Sequence, residues 1–264
     1  MPNTLGPFLL VVLGAACGGP PSADSDGTGD GAPGDGGTGL AGEVLVSAAA
    51  SLTDAFAEIA SAFEGAHPNV VVTLNVAGSS ALRAQILEGA PVDVFAPADR
   101  ADMQRVVEAG EVRGRVRVFA TNVLRIAVPP GNPAQVTGLE DFARGELVLG
   151  LCGAQVPCGA FARRALARAG VEPSIDTDEP DVRALLTKIE LGEVDAGITY
   201  ATDVRAAGGA VEGIDIPDAH NVVAEYPVAV LAGAPNPEAA RAFVAYVLSA
   251  AGRAILARHG FAFP

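Results

Sequence analysis

The chain has 264 residues, half of them hydrophobic, which suits one large domain or two lobes that share a cleft. Its formal net charge is −14, and its 17 basic residues, of which Lys188 is the only lysine, are scattered along the sequence. Nucleic acid is not expected as a partner, because no basic stripe is present to neutralise phosphates. An anion would have to be held by short-range hydrogen bonds and helix termini.

The N-terminus predicts export. Residues 5–16 form an apolar stretch that is too short to span a bilayer and suits the core of a signal peptide. Cys17 follows at once, in an order similar to a bacterial lipoprotein signal, so residues 1–17 are predicted to be such a signal with Cys17 lipidated. The alternative is an ordinary secretory signal with an incidental cysteine. Residues 18–42 are mostly Gly, Pro, Ser and Asp and are predicted to be a disordered tether to the membrane.

From Glu43 onward, short β-rich segments alternate with helical segments. Strands are predicted at 43–49, 69–77, 91–99, 123–131, 146–152, 195–201 and 225–233, and helices at 52–67, 80–90, 101–111, 137–145, 158–170, 181–193 and 236–260. This rhythm implies parallel strands joined by crossover helices, and therefore an α/β fold with doubly wound sheets.

Two further cysteines lie six positions apart, at Cys152 and Cys158. An exported protein meets an oxidising compartment, which favours a local disulfide that contributes roughly 2 kcal/mol by constraining the unfolded chain. Zinc is the competing interpretation, but the three histidines of the chain give no recognisable ligand spacing.

Serines occur at two of the strand-to-helix turns, which in open α/β sheets point helix N-termini at the ligand crevice. Ser51 precedes the first helix, with Asp54 at a spacing like that of a capping box. Ser79 follows Gly78, which allows close backbone approach. Each turn could bind an anion through free N–H groups and the helix dipole. Each serine could equally be a simple N-cap.

Seven phrases, in order along the chain, resemble the ModA family of molybdate-binding proteins: AAASLTDAF, VAGSSALRAQILEGAPVDVFAPAD, VPCGAFARRAL, EPDVRALL, DAGITYATD, EYPVAV and RHGF. The resemblance covers residues 43–264. It implies the class II periplasmic-binding-protein fold, in which two α/β lobes, each a doubly wound sheet with flanking helices, close over a ligand in the cleft between them. We expect one lobe to comprise residues 43–121 and 225–264 and the other residues 122–224, with the chain crossings near 120–122 and 224–227.

The resemblance also implies a ligand set. The family's two binding serines fall on Ser51 and Ser79, the latter in a GSS turn that replaces the more usual triple serine. Two backbone amides fall on Cys158 and Val182, and a phenol falls on Tyr200. These groups would contact the oxygens of molybdate, so molybdenum is expected only within the oxyanion, with no direct metal ligand and no cofactor.

The implied function is the capture of molybdate or tungstate for an ABC importer, with its permease and ATPase as partners and the chain itself a monomer. Molybdate is a fully ionised dianion at neutral pH and asks only for donors, which every member of the set can be. The alternatives are a receptor for sulfate or another tetrahedral oxyanion and, from a different class, an exported serine hydrolase. The chain shows no G-x-S-x-G elbow, H-E-x-x-H helix or P-loop that would support an enzyme.

Overall fold

The computed structural model describes residues 39–264. The predicted signal peptide with Cys17, and residues 18–38 of the predicted tether, lie outside this range. The first strand, β1 (Gly42–Ala49), begins close to the start of this range, and the Asn236 side chain donates to the carbonyl of Ala41 at 2.9 Å. The folded body therefore begins slightly before residue 43.

The first half-sheet is built from β1 and the two strands that pair with it in parallel, β2 (Val70–Ala77) and β3 (Val94–Ala96). Helices follow each of these strands: α1 (Thr53–Ala66), α2 (Ser79–Leu87) and α3 (Arg100–Glu108). β3 also pairs with the antiparallel strand β9 (Val223–Leu231), which leads into α7 (Pro237–Leu248) and α8 (Ala250–Arg258). The apolar face of α1 is buried as its periodicity predicts, with Phe56, Ile59 and Phe63 fully covered.

The second half-sheet centres on β5 (Leu149–Cys152), which pairs in parallel with β6 (Thr177–Glu179) and β7 (Ala196–Tyr200). Its helices are α4 (Pro157–Ala169), α5 (Val182–Glu190) and α6 (Ala201–Ala206), and a short strand, β8 (Glu212–Asp215), completes it.

The long strand β4 (Val112–Val128) joins the two half-sheets. Its residues 112–123 pair with β9, and its residues 124–128 pair with β7 and β8. The strand order is β2-β1-β3-β9-β4-β7-β5-β6, with β8 on β4. The α/β class is as predicted, but the strands that join the halves are antiparallel, so the sheets are mixed.

The remaining differences from the sequence-based elements have simple causes. The first part of β4 escaped prediction because Gly114, at a φ of +88°, interrupts the alternation of valine and arginine over residues 112–118, and none of these valines is fully buried. β6 and β8 have only three and four residues, and the segment predicted as a helix at 137–145 is a 3₁₀ turn, Leu139–Ala143. Between residues 39 and 264, no single helix is long and apolar enough to cross a membrane; only α7 and α8 taken together, at a bend of 61°, reach that length.

Candidate functional site

A small cavity lies between the two half-sheets, where strands of both end and helices begin. The first half contributes Ala49, Ala50, Ser51, Gly78, Ser79 and Ala98, and the second contributes Val156, Pro157, Cys158, Asp181, Val182 and Tyr200. The room left for the centre of a water-sized sphere is about 10 Å³, close to the space that one water molecule needs. All five residues of the predicted ligand set therefore line a single cavity.

Several helix N-termini converge on this cavity. Ser51 lies in a 3₁₀ turn, Ala50–Leu52, that leads into α1, Ser79 opens α2, Cys158 is in the first turn of α4 and Val182 opens α5. The first N–H groups of a helix have no partner within the helix, and no described side chain caps the 3₁₀ turn, α1, α2 or α4. These N–H groups and the positive ends of the helix dipoles make the cavity attractive to an anion.

The hydroxyl of Ser51 hydrogen bonds to a buried tyrosine outside the cavity lining. Ser51 Oγ lies 2.9 Å from Tyr226 Oη, and both side chains are buried. Asp54, which the sequence placed at capping-box spacing, does not cap this turn and instead forms an ion pair with Arg183 of α5. Ser51 is therefore free of a capping role, and its hydroxyl borders the cavity.

The hydroxyl of Ser79 is held in a comparable way. The backbone N–H of Ala98 donates to Ser79 Oγ at 3.0 Å. That N–H uses one lone pair of the serine oxygen, and the hydroxyl hydrogen has no acceptor among the described residues, so a guest in the cavity could accept it.

Gly78, immediately before Ser79, approaches the second half-sheet closely. A Cβ atom at this position would lie 2.6 Å from the carbonyl oxygen of Pro180, with Val156 and Asp181 also near. The Gly78 backbone has a φ of −58°, which any residue can adopt. The requirement for glycine at this position therefore comes from contact between the two halves.

A disulfide between Cys152 and Cys158 ties the end of β5 to the first turn of α4. The next residue, Gly159, packs against the carbonyls of Cys152 and Gly153, where a Cβ would come within 2.2 Å of each oxygen. Arg163 donates to the Cys152 carbonyl at 2.7 Å. These contacts fix the turn at Cys158, a residue that lines the cavity.

Tyr200 contributes the one side-chain donor of the second half-sheet. Its phenol is fully buried, and its Oη has no hydrogen-bond partner among the described residues. Burial raises the pKa of this phenol well above its ordinary value, so it remains protonated and able to donate. A buried polar atom without a partner is costly, which indicates that a guest in the cavity would satisfy it.

Charge near the cavity is limited. Asp181 is the one charged residue in its lining, and its Oδ1 accepts from the N–H groups of Arg183 and Ala184 in its own helix. Asp203, beneath Tyr200, accepts from the Tyr200 N–H at 3.0 Å, and burial raises its pKa to about 7. The cavity can therefore hold an anion only through neutral donors, since no cationic side chain lines it.

Neither serine of the cavity has a catalytic base beside it in the described part of the chain. Within residues 39–264, neither Ser51 Oγ nor Ser79 Oγ hydrogen bonds to a histidine or a carboxylate that could act as a base.

The sequence analysis did not identify Tyr226 or Asn122 as part of the site, although the phrase EYPVAV contains the tyrosine. Their contribution depends on contacts between distant segments, which no local pattern indicates.

Comparisons with known proteins agree with this geometry. Residues 44–262 match the family described as bacterial extracellular solute-binding protein. The molybdate-binding protein ModA of Mycobacterium tuberculosis is 40% identical over 221 residues, covering 84% of this chain and 85% of that protein. The chain belongs to the ModA family. ModA relatives of this kind are substrate-binding proteins of transport systems rather than enzymes.

Solved structures show the same ModA fold. The periplasmic molybdate-binding protein of Azotobacter vinelandii superposes with a TM-score of 0.74 at 19% identity, covering 84% of this chain and 99% of that one. The sulfate-binding protein SubI of Mycobacterium tuberculosis superposes with a TM-score of 0.74 at 18% identity, covering 83% and 86% of the two chains. Because both identities are low, these similarities concern the fold and leave the choice of anion to the site itself.

Proposed function

We propose that this chain captures molybdate, or the closely similar tungstate, in the cavity and delivers it to the permease and ATPase of an ABC importer. The observation that carries the proposal is a small cavity that is lined by two serine hydroxyls, the Tyr200 phenol and the first turns of several helices, and by no cationic side chain. Membership of an extracellular solute-binding family supports a location outside the cytoplasm. The attachment to the membrane through Cys17 stays a prediction, since that residue lies outside the described range.

The donors suit a dianion that carries no proton. The hydroxyls of Ser51 and Ser79, the phenol of Tyr200 and the amides of Cys158 and Val182 can all donate to oxyanion oxygens. Hydrogen bonds to a charged partner are stronger than neutral ones, particularly where water is excluded. Phosphate retains a proton near neutral pH and is best matched by a carboxylate acceptor. The one carboxylate of the lining, Asp181, already accepts from two N–H groups of its own helix through Oδ1.

We further propose that the two half-sheets act as lobes that close on the anion, with residues 43–121 and 225–264 in one lobe and 122–224 in the other. Contacts across the cleft support this division: Gly78 meets Pro180, and Asp54 pairs with Arg183. An anion that contacts donors of both lobes binds the closed arrangement better than an open one, and therefore shifts the population toward closure. The closed form would be the one that the permease recognises.

Titration calorimetry with the purified protein tests the proposed function. We expect one-to-one binding of molybdate and of tungstate, with sulfate at least about 100-fold weaker, because the relative at 40% identity is a molybdate-binding protein. Phosphate should bind weakest, since the one carboxylate of the lining already accepts from its own helix. Equal affinity for sulfate and molybdate would replace the proposal by a general receptor for tetrahedral dianions, and absence of binding to all of these anions would refute it.

A further inference from the structure

Tyr226 lies directly behind the cavity without lining it. The side chain is fully buried, and its ring is held by edge contacts with Tyr200 at 6.1 Å, Phe261 at 5.4 Å and Phe119 at 6.3 Å between ring centroids. Three aromatic neighbours leave the ring little freedom to rotate. The direction of its hydroxyl hydrogen bond is therefore set by the few polar groups within reach of Oη.

Asn122, on the neighbouring strand β4, is one of these polar groups. Its Oδ1 accepts from the backbone N–H of Val123 at 3.0 Å, which identifies the oxygen end of the amide. The Nδ2 end then donates to Thr202 Oγ1 at 2.8 Å and to Tyr226 Oη at 3.4 Å. Asn122 thus presents Tyr226 with a donor and no acceptor.

The Tyr226 proton has an acceptor close at hand. Because Asn122 offers Oη only a donor, Ser51 Oγ, 2.9 Å away, is the acceptor within hydrogen-bond distance of the tyrosine O–H among the described residues. Burial raises the pKa of Tyr226, so the phenol keeps this proton. Ser51 Oγ then accepts from Tyr226 through one lone pair. Its own hydrogen has no acceptor among the described residues, so a guest in the cavity is the group that can accept it.

We infer that Tyr226 and Asn122 are positioning residues that turn the Ser51 hydroxyl hydrogen toward the cavity, and that they thereby favour oxyanions without a proton. The Ala98 N–H holds Ser79 Oγ in a comparable way. The inference rests on the proposed function and adds to it a source of selectivity outside the cavity lining. Asn122 lies on β4 and Tyr226 on β9, the two strands that run between the half-sheets. The orientation of Ser51 therefore depends on the pairing of these two strands.

The test is Tyr226→Phe, which removes one oxygen and retains the packed ring. Without the tyrosine proton, the Ser51 hydroxyl can rotate and present a lone pair to the cavity. We expect molybdate to bind roughly 5- to 10-fold more weakly, while phosphate at pH 7 loses nothing or gains, so that the molybdate-to-phosphate selectivity falls by a similar factor. Tyr246→Phe is the matched control, because Tyr246 packs against Phe63 away from the cavity.

A double-mutant cycle separates positioning from a general loss of stability. If Tyr226 acts through Ser51, then Tyr226→Phe should change the molybdate Kd by less than about twofold in a Ser51→Ala background. The inference would be overturned if the losses of molybdate affinity in the two single variants multiplied in the double variant. It would also be overturned if Tyr226→Phe left the molybdate-to-phosphate selectivity unchanged.

Asn122→Ala provides a second route in case the buried tyrosine variant unfolds. It removes the donor that orients Tyr226 and leaves the tyrosine in place, so it should lower the selectivity in the same direction. Melting temperatures without ligand show whether each variant is folded at the assay temperature. If wild type and Tyr246→Phe bind molybdate but both positioning variants keep full selectivity, the inference fails and the proposed function stands. If wild type binds no tetrahedral oxyanion, the proposed function fails and the inference fails with it.

Discussion

Replacing Gly78 with alanine is expected to weaken molybdate binding by roughly 5- to 150-fold without unfolding the protein. The added Cβ would lie 2.6 Å from the Pro180 carbonyl oxygen across the cleft, so the two halves could not approach as closely as they do here. Overpacking of this kind costs about 1–3 kcal/mol, and the cost falls on the closed arrangement alone. Calorimetry gives the affinity, and small-angle scattering of the molybdate complex should show a less compact particle than wild type.

Gly65→Ala is the control for this experiment. Gly65 lies near the end of α1, and a Cβ there would have no heavy atom within 4 Å. Alanine in a helix is favoured over glycine by about 0.5–1 kcal/mol, so this variant should be slightly more stable and bind normally. Wild-type affinity and an identical scattering profile for Gly78→Ala would show that closure does not depend on this contact.

Removing either of two hydroxyls from the cavity, in Ser51→Ala or Tyr200→Phe, should weaken molybdate binding by roughly 10- to 150-fold. Each hydroxyl is expected to donate to a charged oxyanion, an interaction worth about 1.5–3 kcal/mol. The two variants should differ without ligand. Ser51→Ala leaves the Tyr226 hydroxyl without its acceptor and lowers the melting temperature. Tyr200→Phe removes a buried hydroxyl that has no partner among the described residues, so it should leave the melting temperature unchanged or raise it.

Ser80→Ala and Tyr246→Phe serve as matched controls, since neither Ser80 nor Tyr246 lines the cavity. Calorimetry measures the affinities, and thermal unfolding with and without molybdate measures the difference in stabilisation. The assignment of Ser51 and Tyr200 would be wrong if both variants bound molybdate as tightly as wild type.

Much of the site could be predicted because its donors occur at strand-to-helix turns. The turns at Ser51 and Ser79 follow predicted strands, and helix N-termini at the carboxyl ends of parallel strands meet at one edge of the sheet. For Cys158, Val182 and Tyr200, the resemblance to a known family was needed, because a backbone amide has no signature in the sequence. The structure places all five residues around one cavity.

The parts that escaped prediction depend on contacts between distant segments. Ser51 and Tyr226 are 175 positions apart, and Asn122 and Tyr226 are 104 apart, so their hydrogen bonds follow from the pairing of β4 with β9. The need for glycine at position 78 comes from Pro180, on the opposite side of the cleft. The first part of β4 does alternate valine with arginine, but Gly114 interrupts the pattern where the pairing with β9 is irregular.

The most direct test of the central claim is a crystal structure of the molybdate complex, with anomalous scattering used to locate the molybdenum. We predict a single strong peak in the cavity, with oxyanion oxygens within hydrogen-bond distance of Ser51 Oγ, Ser79 Oγ, Tyr200 Oη and the N–H groups of Cys158 and Val182. A peak elsewhere on the protein, or an ion bound by a cationic side chain or by a protein acceptor, would contradict the account.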